Sequence, residues 1–171
     1  MPHLETLYHL TIFAGLLLSL TGLLANLACF DGLRRVDPPA GDAPRVSILI
    51  PARNEALNIG PCVRSLLAQD YPNCELCVLD DHSDDGTGEI VRGLGLSANG
   101  ERQRVLTGAP LPPGWTGKGW ACHQLAAQAR GEFLFFTDAD TAHAPGTVSA
   151  AVAYARRNRA DTSPPGPRSS R

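Results

Sequence analysis

Gly131-Glu-Phe-Leu-Phe-Phe-Thr-Asp138-Ala-Asp140-Thr141 decides the fold, because a run of large apolar side chains breaks off at two carboxylates. Continuous hydrophobicity over Phe133–Phe136 predicts a strand buried on both faces, as in a parallel sheet covered by helices. In extended geometry residues two apart point to the same side, so Asp138 and Asp140 aim into one crevice beyond the strand's carboxyl end. Two like charges that close raise each other's pKa unless something neutralises them. A divalent cation carrying a diphosphate does so, since hard carboxylate oxygens suit Mg²⁺ or Mn²⁺ and these ions keep phosphate oxygens in their shell. On Asp-x-Asp alone, the competing reading of a solvated turn stays open.

Upstream, the same arrangement recurs. Val46-Ser-Ile-Leu-Ile50 reads as a first strand and runs into the polar loop Pro51-Ala-Arg-Asn-Glu-Ala-Leu-Asn58. A helix follows, with Pro61 suited to its first turn and Val63, Leu66 and Leu67 on one side. A second strand over Cys74–Leu79 leads to Asp80-Asp-His-Ser-Asp-Asp-Gly-Thr87, again carboxylates at a strand's end. Neighbouring strand residues face opposite ways, so Asp80 and Asp81 divide two tasks, one accepting from a base or ribose and one bracing the loop. Asp84, Asp85 and Thr87 read as turn and capping residues for a helix over Glu89–Leu94. Val105-Leu106 marks a short third strand, and the rigid loop Pro110–Trp120 precedes a helix over Ala121–Ala129. Lys118 lies near the end of that loop, placed to neutralise a phosphate. It is not part of a Walker A loop, because Pro112 replaces the first glycine and Gly119 the Ser or Thr. Pro145–Arg157 carries Val148, Val152 and Ala155 at helical spacing.

The amino-terminal segment is of another kind. Thr6–Phe30 contains no charged residue and nine leucines. At about 1.5 Å per residue it covers roughly 36 Å, against about 30 Å of hydrocarbon, which predicts one transmembrane helix. Arg34 and Arg35 follow the span while Glu5 precedes it, so the positive-inside tendency puts the following domain in the cytoplasm, on a single-pass protein of the inner or plasma membrane. The expected organisation is a lead over 1–5, a span over 6–30, a proline-rich linker over 31–44, an incomplete nucleotide-sugar-binding domain over 45–158 and a disordered tail over 159–171.

Composition removes other classes. A net charge of −2, with no basic run interleaved with aromatics, gives no reason to expect nucleic acid as a partner. Of five cysteines only Cys74 and Cys77 are spaced C-x-x-C, and on a strand residues three apart face opposite sides. They read as structural thiols and not as a zinc or redox pair.

Alternation of strand and helix predicts an α/β fold with a mostly parallel sheet, flanking helices and ligands at the strands' carboxyl ends. Within that frame Pro51-Ala-Arg-Asn-Glu55, Val78-Leu-Asp80-Asp81, Trp115-Thr-Gly-Lys118 and Thr137-Asp-Ala-Asp140 resemble, in order and spacing, the family 2 glycosyltransferases. Pro110–Ala121 with Thr137–Pro145 is most similar to their membrane-anchored branch associated with hopanoids and carotenoids. The resemblance implies the nucleotide-binding half of a GT-A fold, with a nucleoside-diphosphate sugar as donor, Mg²⁺ or Mn²⁺ as cofactor, and a lipid or polyisoprenoid hydroxyl as acceptor. It implies that Pro51, Arg53 and Glu55 line the nucleoside pocket, Asp80 holds the base, Asp81 supports the ribose side, and Lys118 lies near base or diphosphate. Asp138 would contact ribose or brace the metal, and Asp140 would coordinate it. In that family the base carboxylate lies in a second half after the Asp-x-Asp strand, so no catalytic base is identified and the chain reads as C-terminally truncated with doubtful transfer activity. A membrane-tethered nucleotide-binding or interaction module without catalysis is the alternative expectation.

Overall fold

The computed structural model describes residues 2–29 and 43–158. The tail expected over 159–171, and the linker over 31–44 except its last two residues, lie outside the described residues. The chain divides into two compact units, Met1–Leu33 and Arg34–Arg171.

In the first unit, α1 runs over Pro2–Cys29. Its stretch Glu5–Leu27 is long and apolar enough to cross a membrane, with mean hydropathy 1.9 and none of it buried. Three of its hydroxyls are satisfied within the helix. Thr11, Ser19 and Thr21 each donate to a carbonyl three or four residues earlier, at 2.8, 2.9 and 2.8 Å. Such internal bonding is what a polar side chain needs where water is absent.

The second unit is built on a four-stranded parallel sheet in the order β3-β2-β1-β4. β1 (Val46–Ala52) lies at its centre, β2 (Cys74–Asp80) beside it, and β3 (Gln103–Thr107) and β4 (Phe133–Phe136) at the edges. The strands are joined by α2 (Ile59–Leu67), α3 (Thr87–Gly93) and α4 (Gly117–Gln128), and α5 (Thr147–Arg157) follows β4. Period-two alternation divides the core between two faces. Val46, Ile48, Ile50, Leu76 and Val78 pack with Ile59, Val63, Leu66, Val91, Val148 and Val152 of α2, α3 and α5. On the opposite face Leu49, Cys77 and Leu79 pack with Ala121 and Leu125 of α4. Ile59, Cys62, Val63 and Leu66 are all buried, the three-to-four spacing that forms one apolar helix face. Cys74 packs on the first cluster and Cys77 belongs to the second, so the C-x-x-C pair does face opposite ways.

Two expectations need correction. β4 is not buried on both faces: Phe133 and Phe135 face the α5 side, whereas Leu134 and Phe136 remain 36% and 44% exposed. Apolar runs report hydrophobicity but not strand order, and β4 is an edge strand among the described residues. Helix α4 begins at Gly117, four residues earlier than its composition suggests, because Thr116 caps it by accepting from the Gly119 N–H at 3.3 Å. The cap outweighs the poor helix propensity of Gly117 and Gly119.

At the amino end of the sheet a carboxylate is wholly buried. Glu75 accepts from the Ser47 hydroxyl, from Arg45 at 2.9 Å and from the Arg130 N–H at 2.7 Å, with the Arg104 guanidinium 3.5 Å away. Ser47 also accepts from the Gly131 N–H at 2.8 Å, so this cluster ties β1 and β2 to the turn that starts β4. Burial alone would raise the Glu75 pKa, but the Ser47 hydroxyl, the Arg130 N–H and the two guanidinium groups overcome it and hold it below the ordinary value.

Candidate functional site

Strand order reverses beside β1, whose successor β2 and distant partner β4 lie on either side of it. In open α/β sheets that reversal opens a crevice at the carboxyl ends. The crevice here is a cavity of about 400 Å³. Of the residues singled out from the sequence, Pro51, Arg53, Glu55, Asp81, Lys118, Asp138 and Asp140 line it. They arrive from four separate segments. Register explains the meeting, since Ala52 is paired with Asp80, and the Thr137 N–H bonds the Leu49 carbonyl at 3.1 Å, bringing Asp138 beside Pro51 and Ala52.

Asp80 is not among the residues that line the cavity. Its carboxylate accepts the Ser83 N–H at 3.0 Å and lies against Gly88 at the start of α3. A β-carbon on Gly88 would come within 2.5 Å of that oxygen, so the glycine makes room for it. Asp81, on the other side of the backbone, is the cavity residue. It sits against Gly108, pairs with Arg53 at 3.7 Å and is largely screened from solvent. Of the two carboxylates, Asp81 faces the cavity and Asp80 faces the start of α3.

The loop after β1 is held by the loop after β2. The Asn54 N–H donates to Ser83 Oγ at 3.0 Å and Asn54 Oδ1 accepts from the Asp84 N–H at 3.1 Å. The Glu55 N–H donates to Thr87 Oγ1 at 2.8 Å and the Ala56 N–H to Asp85 at 2.9 Å. Asn54 has φ 56° and His82 φ 57°, left-handed conformations that asparagine and histidine tolerate better than most residues. Asp85 and Thr87 thus serve the neighbouring loop as well as their own turn, and the N-cap position of α3 is Gly86. Hydrogen bonds to Thr87 and to the Ala56 N–H hold the Asp85 carboxyl below its ordinary pKa. Sequence reasoning missed this interlock. Its only local signal was the clustering of Asn, Ser, Asp and Thr in both loops.

Lys118 stands in the first turn of α4, where the helix amino terminus adds partial positive charge. Its Nζ is 2.7 Å from Asp138 Oδ1, and that hydrogen bond raises the lysine pKa. Both side chains are more than half exposed, so the pair is free to open. Asp140 is exposed and, among the described residues, its carboxylate accepts only from its neighbour Thr141, at 3.3 Å. Among the described residues no three His, Cys, Asp or Glu side chains gather into a ready-made metal cage. Mg²⁺ and Mn²⁺ need none, because one or two carboxylates with water and phosphate oxygens suffice, and Asp138 and Asp140 fit that donor set.

Trp115, Trp120 and His123 pack on one another at 5.0 to 5.4 Å between ring centroids, and Trp120 donates to the Ala109 carbonyl at 3.1 Å. Burial pushes the Cys62 and Cys77 thiols up to about 11, which suits inert packing groups.

With the geometry in hand, known proteins supply the lineage. Residues 47–169 match the family model described as glycosyl transferase family 2. A 4,4'-diaponeurosporenoate glycosyltransferase of Staphylococcus haemolyticus is 33% identical over 143 residues, which is 82% of this chain and 35% of that protein. Mannosyltransferase PcManGT from Pyrobaculum calidifontis, solved with GDP-Man and Mn²⁺, superposes with a TM-score of 0.56 at 28% identity, over 74% of this chain and 35% of that one. S. aureus TarS 1–349 with UDP-GlcNAc gives 0.53 at 27% identity, over 67% and 32%. The chain thus spans about a third of the length of these relatives. A parallel sheet with its acidic loops gathered at one end, and a match over most of the second unit, lead to one conclusion: this chain belongs to glycosyltransferase family 2.

Proposed function

We propose that this chain binds a nucleoside-diphosphate sugar at the carboxyl end of the sheet through Mg²⁺ or Mn²⁺, and is the donor-binding part of an inverting transferase acting on a lipid hydroxyl. The observation that carries the proposal is the convergence of Arg53, Glu55, Asp81, Lys118, Asp138 and Asp140 on one cavity of about 400 Å³. The solved relatives with GDP-Man and Mn²⁺, or with UDP-GlcNAc, support the donor class and the metal. The carotenoid-directed relative supports a lipid acceptor, and α1 is compatible with a membrane anchor. Arg34 and Arg35 after the span favour a cytoplasmic domain.

In this reading Asp81 accepts from the base or ribose, and its Arg53 partner fixes its orientation. Pro51 and Glu55 wall the nucleoside. Lys118 exchanges Asp138 for a phosphate oxygen, a change of partner that an exposed ion pair permits at little cost. Asp140, with Asp138, holds the ion. When bound, the ion supplies neutralisation of the charge that develops on a departing diphosphate. Displacement then needs a base for the incoming hydroxyl, and no residue of this chain is assigned to it.

The test is a calorimetric titration of UDP and GDP into the full chain in detergent, with and without Mn²⁺. Mn²⁺ should raise the affinity of one nucleotide by about tenfold or more, the usual scale for a coordinating site, and Asp140→Ala should abolish the increment. Nucleotide binding indifferent to Mn²⁺ in the unaltered chain would overturn the reading.

A further inference from the structure

The turn carrying Asp138 and Asp140 has almost no apolar anchorage. Between Thr137 and His143 only Ala139 is buried, at 3% exposure, while Asp138, Asp140, Thr141 and Ala142 are exposed. Its position must come from polar contacts, and these converge on two residues with no role so far. His143 Nε2 lies 2.8 Å from Thr137 Oγ1, a side-chain bond across the base of the turn that joins its first residue to its last. The His143 N–H donates to Ser65 Oγ at 3.0 Å, and the Ser65 hydroxyl donates to the Cys62 carbonyl at 2.7 Å. The ring also meets Phe135 edge-on, 5.7 Å between centroids, so it is held on the strand side as well.

The same side of α2 and the residues just past it carry two more attachments. Cys62 Sγ contacts the Asp138 carbonyl at 3.5 Å. Gln69, in the turn just past α2, donates to the Ala144 carbonyl at 2.8 Å and accepts the Val148 N–H at 3.0 Å. Positions 62, 65 and 69 are three and four apart, the spacing that aligns side chains along one helical face. Helix α2 therefore acts as a rail to which the segment from Asp138 to Val148 is pinned at successive points.

We infer that His143 is a positioning residue that closes the Asp138–Asp140 turn, through Thr137 on one side and Ser65 on the other, and so fixes the two carboxylates relative to each other. The inference rests on the reading of those carboxylates as the metal-holding pair. His143 does not line the cavity, so it would touch neither the ion nor the nucleotide. A residue that orients ligands by hydrogen bonding typically changes metal affinity by about 10- to 100-fold when removed.

The experiment compares the full chain in detergent with His143→Ala and with His143→Gln, whose amide nitrogen reaches about as far as Nε2. One readout is hydrogen exchange of peptides spanning 137–146. The other is UDP or GDP affinity with and without Mn²⁺, using whichever nucleotide the unaltered chain binds. His143→Ala should speed exchange in 137–146 while leaving α5 and the central strand unchanged. It should also lower the Mn²⁺-dependent increment about tenfold, with metal-free nucleotide affinity within about twofold. His143→Gln should restore both. Unchanged exchange in His143→Ala, loosening spread through α5 and the central strand, or failure of His143→Gln to restore, would each overturn the inference. Where the unaltered chain shows no Mn²⁺ increment, the functional reading fails and the exchange comparison alone decides whether His143 closes the turn.

Discussion

Two carboxylate–cation pairs stand at opposite ends of one sheet with nearly equal separations, 2.9 Å for Arg45–Glu75 and 2.7 Å for Lys118–Asp138. Their surroundings make them different objects. Glu75 has no exposed side-chain surface and has two guanidinium groups, a hydroxyl and a backbone N–H around it. Asp138 is 57% exposed and Lys118 67%. Water reaches both partners of the second pair but only the Arg45 side of the first, whose carboxylate is fully buried, so the first is a fixture and the second is exchangeable. The amino end of the sheet thus holds strands together, and the carboxyl end keeps charged groups available for a ligand.

The sharpest way to break this contrast is Glu75→Ala. Removing one partner strands Arg104, itself only 4% exposed and already carrying an Nε without a hydrogen-bond partner, and should cost about 3–5 kcal/mol in urea denaturation. A loss comparable to that of an exposed residue would show the cluster to be wet. Next comes acid. Because the folded pKa of Glu75 lies below the ordinary value of 4.5, its stabilising contribution is fully present above that value and is lost as the pH falls through the folded pKa. Melting temperature should therefore fall in acid, and Glu75→Gln should make that limb shallower.

Two smaller effects probe the carboxyl end. Thr87→Val keeps the shape of a fully buried side chain but leaves the Glu55 N–H without its acceptor, for about 1 kcal/mol of stability and weaker nucleotide binding. Lys118→Met should leave the unfolding midpoint unchanged within error while weakening UDP more than uridine in the same titration. Equal weakening of both would place Lys118 at the base and not at the phosphates.

Much of this was legible beforehand, and the failures have physical causes. Strand cores at Val46–Ile50 and Cys74–Leu79 announced themselves through apolar runs, each interrupted by one polar residue, Ser47 or Glu75, and carboxylates at strand ends marked the site side of the sheet. Apolarity could not reveal that Phe133–Phe136 lies at an edge, because edge position depends on strand order and not on the strand's own residues. Side-chain alternation correctly separated Asp80 from Asp81, but which of them faces the cavity depends on where α3 packs. The start of α4 was hidden because two glycines masked a threonine cap. Ser47, Ser65, Glu75 and His143 gave no signal, since each has a partner 28 to 84 positions away in sequence.

β4 has a practical corollary. Its outer backbone edge meets no other strand among the described residues, and Leu134 and Phe136 lie uncovered on the same four-residue segment. Open ladders with bare apolar side chains invite strand addition between molecules. Purified preparations should accordingly grow stickier as they are concentrated, and light scattering at the working concentration belongs beside every titration as a control for self-association.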